Sequence, residues 1–283
     1  MSENSFKIDI LSERDIDFAH SLTEIESWGY LKDDFKRLIA WEPEGCFVAK
    51  FDSIPVGIIT STSYNHYGFI GSLIVVEAYR NQGIGENLIH YALDYLTAKS
   101  VTTIELDGVI PAVPLYRRLG FQDKYLSLRF WRPGLDSQKK TIWEKTNFID
   151  PEKIFDFDYK LTGLNRKRLL ATYFESIPDN IYAIEENNSI LAYAIIRPRQ
   201  DGCYGIGPFI GRNMNSAEKV LSMIMDDFAG HKLTIGIPGV NWEMTGLINR
   251  TGFLYNQPSL RMYLGPRINY EKNMCSIFSA EKG

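Results

Sequence analysis

Residues 73–88 read Leu73-Ile74-Val75-Val76-Glu77-Ala78-Tyr79-Arg80-Asn81-Gln82-Gly83-Ile84-Gly85-Glu86-Asn87-Leu88. An apolar run leads to a basic residue, then to Gly-x-Gly, then directly into a helix. The spacing predicts that helix over Gly83–Lys99, because Ile84, Leu88, Ile89, Ala92, Leu93 and Leu96 recur at helical intervals. Such a junction is an anion site by its chemistry. The first amides of a helix lack an intrahelical acceptor, and the macrodipole adds partial positive charge there. Glycine lets backbone approach a phosphate closely, and Arg80 can add a charged fork. Two other phosphate motifs fail on the residues. A dinucleotide fingerprint needs a third glycine where Leu88 stands, and a P-loop needs Gly-Lys before Ser or Thr.

Outward from this stretch, strands and helices alternate. Phe6–Leu11 reads as a strand, Asp15–Ile25 as a helix, and a second short helix is expected from about Asp33. Cys46–Phe51 and Val56–Ser63 flank an Asp52-Ser53-Ile54-Pro55 turn, and Tyr67–Val76 completes a meander. Beyond the long helix, Val101–Leu106 is expected as a strand, Ala112–Leu119 as a short helix and Phe121–Trp131 as a strand. The order is βααβββαβαβ. A meander ahead of the glycine loop excludes the βαβ units of a doubly wound dinucleotide fold.

Pro133-Gly134 and the polar stretch Asp136–Lys140 predict a boundary that divides the chain into 1–134 and 135–283. The second half repeats part of the pattern. Asn165–Phe174 is expected as a helix, Ile181–Ile184 and Ile190–Ile196 as a hairpin, and Cys203–Ile210 as a strand. Ser216–Phe228 and Trp242–Arg250 are expected as helices, with Lys232–Ile237 and Phe253–Leu264 as strands. Leu115-Tyr116-Arg117-Arg118-Leu119-Gly120-Phe121 and Leu247-Ile248-Asn249-Arg250-Thr251-Gly252-Phe253 stand at corresponding places. An internal duplication accounts for both.

Composition narrows the function classes. At 283 residues with 45% hydrophobic and 23% charged residues, the chain can bury two cores and is neither disordered nor fibrous. No apolar run is long enough for a membrane span, and the start lacks the pattern of a signal peptide, so a cytoplasmic protein is expected. Cys46, Cys203 and Cys275 are far apart, with neither metal spacing nor a disulfide framework. A net charge of −4 argues against nucleic acid as partner. Residues 1–79 hold six basic against thirteen acidic residues, whereas 135–283 is near neutral. That acidic half reads either as a solvated surface or as a lobe that attracts a cationic substrate.

Arg80-x-x-Gly83-x-Gly85 after a strand, with Leu115-Tyr116-x-x-x-Gly120-Phe121 downstream, resembles the GNAT superfamily of acetyl-CoA-dependent N-acyltransferases. The resemblance covers residues 5–131 in element order and in both motifs. The second half is similar to the degenerate C-terminal domain of a bacterial two-domain group, through Tyr204-Gly205-Ile206-Gly207-Pro208-Phe209 and Arg261-Met262-Tyr263. The resemblance implies an α/β (α+β) fold of tandem GNAT units, each a mixed, mostly antiparallel sheet flanked by helices. The catalytic unit would be 1–134 and the degenerate one 135–283. It implies transfer of an acetyl group from acetyl-CoA to a primary amine, a small molecule or a peptide, by direct attack in a ternary complex.

Site residues are implied by the same resemblance. Leu73, Ile74 and Val75 would pair with the pantetheine arm as an added strand does. Arg80, Asn81, Gln82, Gly83, Ile84, Gly85 and Glu86 would hold the pyrophosphate. Tyr116 would be the general acid, a phenol suited to a thiolate leaving group. Asp107 is a candidate base, or else a turn residue before Gly108. Glu26 and Asp34 would border the acceptor. The chain departs from the family where Val109 replaces an asparagine that contacts the cofactor, and Pro111 and Pro114 imply an unusual lead-in to the short helix. Residues 208–216 of the second half offer one glycine, Gly211, and a lone Arg212, with no glycine at the helix start near Ser216, which leaves one expected acetyl-CoA per chain. A non-catalytic acyl-CoA-binding regulatory module is the alternative; it would not need Tyr116. The amine, the base and the oligomeric state are not legible.

Overall fold

Alternation in the first half sets up a sheet with two differently covered faces. The computed structural model describes residues 6–135 and 149–283. Strand β1 (Phe6–Ile10) is followed by helices α1 (Ile16–Ile25) and α2 (Lys32–Trp41), then by β2 (Cys46–Phe51), β3 (Ile54–Tyr64) and β4 (Tyr67–Val75). Asp52 and Ser53, both at positive φ, close the β2–β3 hairpin, the conformation a tight two-residue turn requires. Helix α3 (Ile84–Ala98), strand β5 (Thr103–Val109) and helix α4 (Val113–Arg118) complete the run. The order is β1-β2-β3-β4-β5, antiparallel except for the parallel β4–β5 pair.

Side-chain parity decides which face does what. Gly68 turns toward α3, where an added Cβ would meet Leu96 and Val101. Its neighbours Tyr67, Phe69 and Gly71 face the other way, opposite Tyr64, Thr62 and Thr60 of β3. As expected from the sequence, α3 buries Ile84, Leu88, Ile89, Ala92 and Leu96. The two prolines do change the approach to α4. A 3-10 turn, Ile110–Ala112, precedes it, and Val113 and Tyr116 are its buried residues.

Strand β6 (Gln122–Arg132), the last of the first half, is followed by α5 (Pro151–Thr162), α6 (Lys167–Ser176), β7 (Ile181–Glu186), β8 (Ser189–Pro198) and β9 (Tyr204–Gly211). Then come α7 (Met214–Asp227), β10 (Leu233–Pro238), α8 (Trp242–Arg250), β11 (Leu254–Leu264) and β12 (Met274–Ser276). The run β6-β10-β9-β8-β7 repeats the mixed sheet, with β9–β10 parallel and the other three pairs antiparallel. Two elements here were not expected from the sequence, α5 and β12. Helix α5 has a local signal all the same. Asp150 caps it by accepting from the Glu152 amide at 3.0 Å, Pro151 opens it, and Gly163 at φ 71 ends it. The polar stretch Asp136–Lys140 lies outside the described residues.

By packing, the chain forms two compact units. The first holds residues 1–122, 262–267 and 280–283; the second holds 123–261 and 268–279. The ends of the two halves are thus exchanged. In the first unit, Thr103 Oγ1 donates to the Pro266 carbonyl at 2.7 Å, and Gly265 (φ 90) passes so close to Thr102 that no Cβ would fit. Among the described residues, no helix is long and apolar enough to cross a membrane.

Candidate active site

The site begins with a fault in β4. Ile58 pairs with Ile74, but Thr60 pairs with Gly71, so two residues of β4 oppose one of β3. Ser72, inside this bulge, has φ 52. A bulge bends the strand and re-aims the residues beyond it. The parallel register of β4 with β5 runs only from Tyr67–Ile70 against Thr103–Leu106. Past that point Leu73, Ile74 and Val75 diverge from β5 and leave a strand edge suited to an extended, amide-bearing arm. Ile74 is buried, whereas Leu73 and Val75 are half-buried.

The β4–α3 loop then delivers the candidate anion site. Gly83 is the N-cap of α3 at φ 78, with no side chain capping the helix. An added Cβ at Gly83 would meet nothing within 4 Å, so the helix start opens onto free space. Asn81 also has positive φ, at 62, a backbone reversal of the kind that forms anion-binding nests. Asn81, Gln82, Gly83 and Glu86 are exposed, Gly85 is half-buried, and Ile84 anchors the turn in the core. The residues therefore fit a diphosphate. Arg80 is differently placed from a free anion ligand. Its Nε donates to the Val75 carbonyl at 2.9 Å and its Nη2 to Glu26 Oε1 at 2.7 Å. Glu26, expected at the acceptor, pairs with Arg80 of this loop.

Tyr116 lies across β5. Its ring is so close to Gly108 that a Cβ there would stand 2.9 Å from it, and it meets Phe121 edge-on at 6.1 Å. Burial pushes its phenol well above the ordinary value, so it keeps its proton at neutral pH. Asp107 is half-buried on the opposite face of β5, the face shared with Glu105. Glu105 is fully buried and accepts from Tyr67 Oη at 3.2 Å. Asp34 is committed to structure. Its Oδ2 accepts from the Leu31 amide and its Oδ1 from Arg37, both at 2.9 Å, which fixes the start of α2. Val109 is exposed at the end of β5.

Sequence reasoning missed three buried hydroxyls. Thr60 Oγ1, Thr62 Oγ1 and Ser72 Oγ have no hydrogen-bond partner. Their signal was faint: small polar residues inside otherwise apolar strands. Among the described residues no group of His, Cys, Asp and Glu could hold a metal ion.

The corresponding places in the second unit are filled by its own chain. Asn213 caps α7 and accepts from the Ser216 amide at 2.9 Å, so a side chain takes up part of the helix start. The parallel register of β9 and β10 ends at Ile206 and Ile235. Past it, β12 pairs with Phe209 and Ile210 of β9, and the Ile277 amide donates to the Gly236 carbonyl at 2.9 Å.

Residues 16–121 match the family model for the acetyltransferase (GNAT) family, and residues 154–278 match that of a GNAT acetyltransferase domain. The chain belongs to the GNAT acetyltransferase family, a family of acyl-CoA-dependent acyltransferases. It is 25% identical over 264 residues to holothin acyltransferase of Pseudoalteromonas, covering 91% of this chain and 88% of that protein. It is 29% identical over 114 residues to N-alpha-acetyltransferase 30 of Dictyostelium discoideum, covering 38% of this chain and 62% of the relative. A crystal structure of an acetyltransferase-type protein from Pyrococcus horikoshii shares the fold, with TM-score 0.83 at 23% identity over 100% of this chain and 98% of that one.

Proposed function

We propose that this chain transfers an acetyl group from acetyl-CoA to a primary amine, by direct attack in a ternary complex within its first unit. The observation that carries the reading is the coincidence of an open helix start at Gly83, a free strand edge at Leu73–Val75, and a buried, protonated Tyr116 beside β5. Acetyl-CoA, when bound, supplies an acetyl group activated as a thioester. Leu73, Ile74 and Val75 align its amide-bearing arm, and the amides of residues 81–86 hold its diphosphate. Arg80 serves as a latch at the rim of that loop, and Glu26 orients it. Tyr116 holds a proton at Oη for the departing thiolate. Asp107 takes the proton that the acceptor's ammonium must lose before its nitrogen attacks the thioester carbon.

Tyr116→Phe tests the assignment. Removing a positioned acid lowers turnover by about 100-fold or more, while acetyl-CoA affinity measured by calorimetry stays unchanged. If an amine panel gives no acceptor-dependent thiol release from a chain that binds acetyl-CoA, the protein is a binding module instead.

A further inference from the structure

Residues 280–283, Ala-Glu-Lys-Gly, belong to the first unit and lie against the β3–β4 face that also carries Thr60 and Thr62. Glu281 is 2% and Lys282 0% exposed. Tyr30 Oη donates to Glu281 Oε2 at 2.8 Å, and Tyr64 Oη donates to the Lys282 carbonyl at 2.7 Å. Lys282 Nζ donates to Glu281 Oε1 and lies over the Trp41 ring, 5.8 Å from its centroid. Only glycine at position 71 permits this path, since a Cβ there would stand 2.5 Å from Glu281 Cα.

As a brace the segment is poorly chosen. A fully buried ion pair carries a large desolvation cost, and apolar side chains of similar size hold a core as well or better. The seat also has more polar capacity than the segment uses. The unpartnered Thr60 and Thr62 hydroxyls lie on that face, and Ser72 Oγ is buried in the bulge next to Gly71. Gly71, where the segment crosses, stands two residues before the edge Leu73–Val75, on the face where Asp107 also lies.

We propose that residues 280–283 are a displaceable occupant of the acceptor seat, so that acceptor and segment bind in turn. The proposal rests on the acetyltransferase reading above. With the segment withdrawn, Tyr30, Tyr64 and the Thr60 and Thr62 hydroxyls hold an acceptor that offers peptide-like carbonyls and a carboxylate.

The test compares the full chain with a chain stopped after Ser279, each titrated with acetyl-CoA and with the synthetic tetrapeptide Ala-Glu-Lys-Gly. Both are expected to bind acetyl-CoA alike, and the shortened chain to bind the peptide at least about tenfold more tightly, as when less than a tenth of the full chain is binding-competent. A second arm needs no truncation. Labelling of Lys282 by acetic anhydride, followed by mass spectrometry of the full chain, is expected to be slow and to quicken with excess peptide. Equal acetyl-CoA binding with no gain in peptide affinity, or Lys282 labelling indifferent to peptide, overturns the proposal and leaves the acetyltransferase reading standing. Failure of the full chain to bind acetyl-CoA overturns that reading and the proposal with it.

Discussion

Gly83 brings two separate properties to the proposed anion site, its left-handed backbone and the open space above its Cα. A substitution tests them apart. Gly83→Asp puts a negative charge where the diphosphate comes, and acetyl-CoA affinity is expected to fall at least about tenfold, or about 1.4 kcal/mol. Gly83→Asn tolerates the same φ without the charge and is expected to lose much less. Calorimetry that finds both variants like the parent removes the loop from the cofactor site. Arg80 shows how a residue can be legible by type and illegible by partner. A basic residue after an apolar strand was readable, but its 2.7 Å bond to Glu26, 54 positions earlier in the chain, was not. An exposed pair of this kind is worth about 0–1 kcal/mol, too little to hold the loop by itself.

Glu42, just beyond α2, joins three elements by one carboxylate. Its Oε1 accepts from the Ser63 amide and hydroxyl on β3 at 2.9 and 2.7 Å, and its Oε2 from Tyr95 and Lys99 at the end of α3 at 2.6 and 2.7 Å. Burial on its own raises this carboxyl, but the bonds from Lys99, Ser63 and Tyr95 outweigh it and hold the pKa below the ordinary 4.5. A depressed folded pKa gives stability that is present above 4.5 and lost as pH falls through the folded value. Glu42→Gln is therefore expected to cost about 1–3 kcal/mol in urea unfolding at pH 7. The difference from the parent narrows steadily below pH 4.5, and a penalty that does not depend on pH contradicts the assignment. The elements themselves were largely legible, because α3 and the β2–β4 meander announce themselves by local periodicity. The bulge at Ser72 was not, since it is a property of register between β3 and β4. Neither was β12, whose three residues hold their place by pairing with β9 and carry no periodic pattern of their own.

At the scale of the whole molecule, duplication and exchange explain what sequence reading could and could not reach. The halves were visible as repeats in order and in the Leu115–Phe121 and Leu247–Phe253 stretches. The exchanged ends were not, because residues 262–267 and 280–283 join the first unit through contacts with residues far away in the chain. Glu105, the buried carboxylate on β5, was missed for the same reason: its partner Tyr67 sits on another strand. Each unit has a parallel strand pair that diverges, yet only the first leaves the gap and its helix start open. In the second, β12 lies on β9 past the point of divergence, and Asn213 caps α7. The proposed reading therefore has one cofactor site per chain. Calorimetric titration of the full chain with acetyl-CoA measures it most directly. A stoichiometry of one that disappears in Gly83→Asp at the same concentrations is expected; a stoichiometry near two, or a single site that survives the substitution undiminished, refutes the one-site reading.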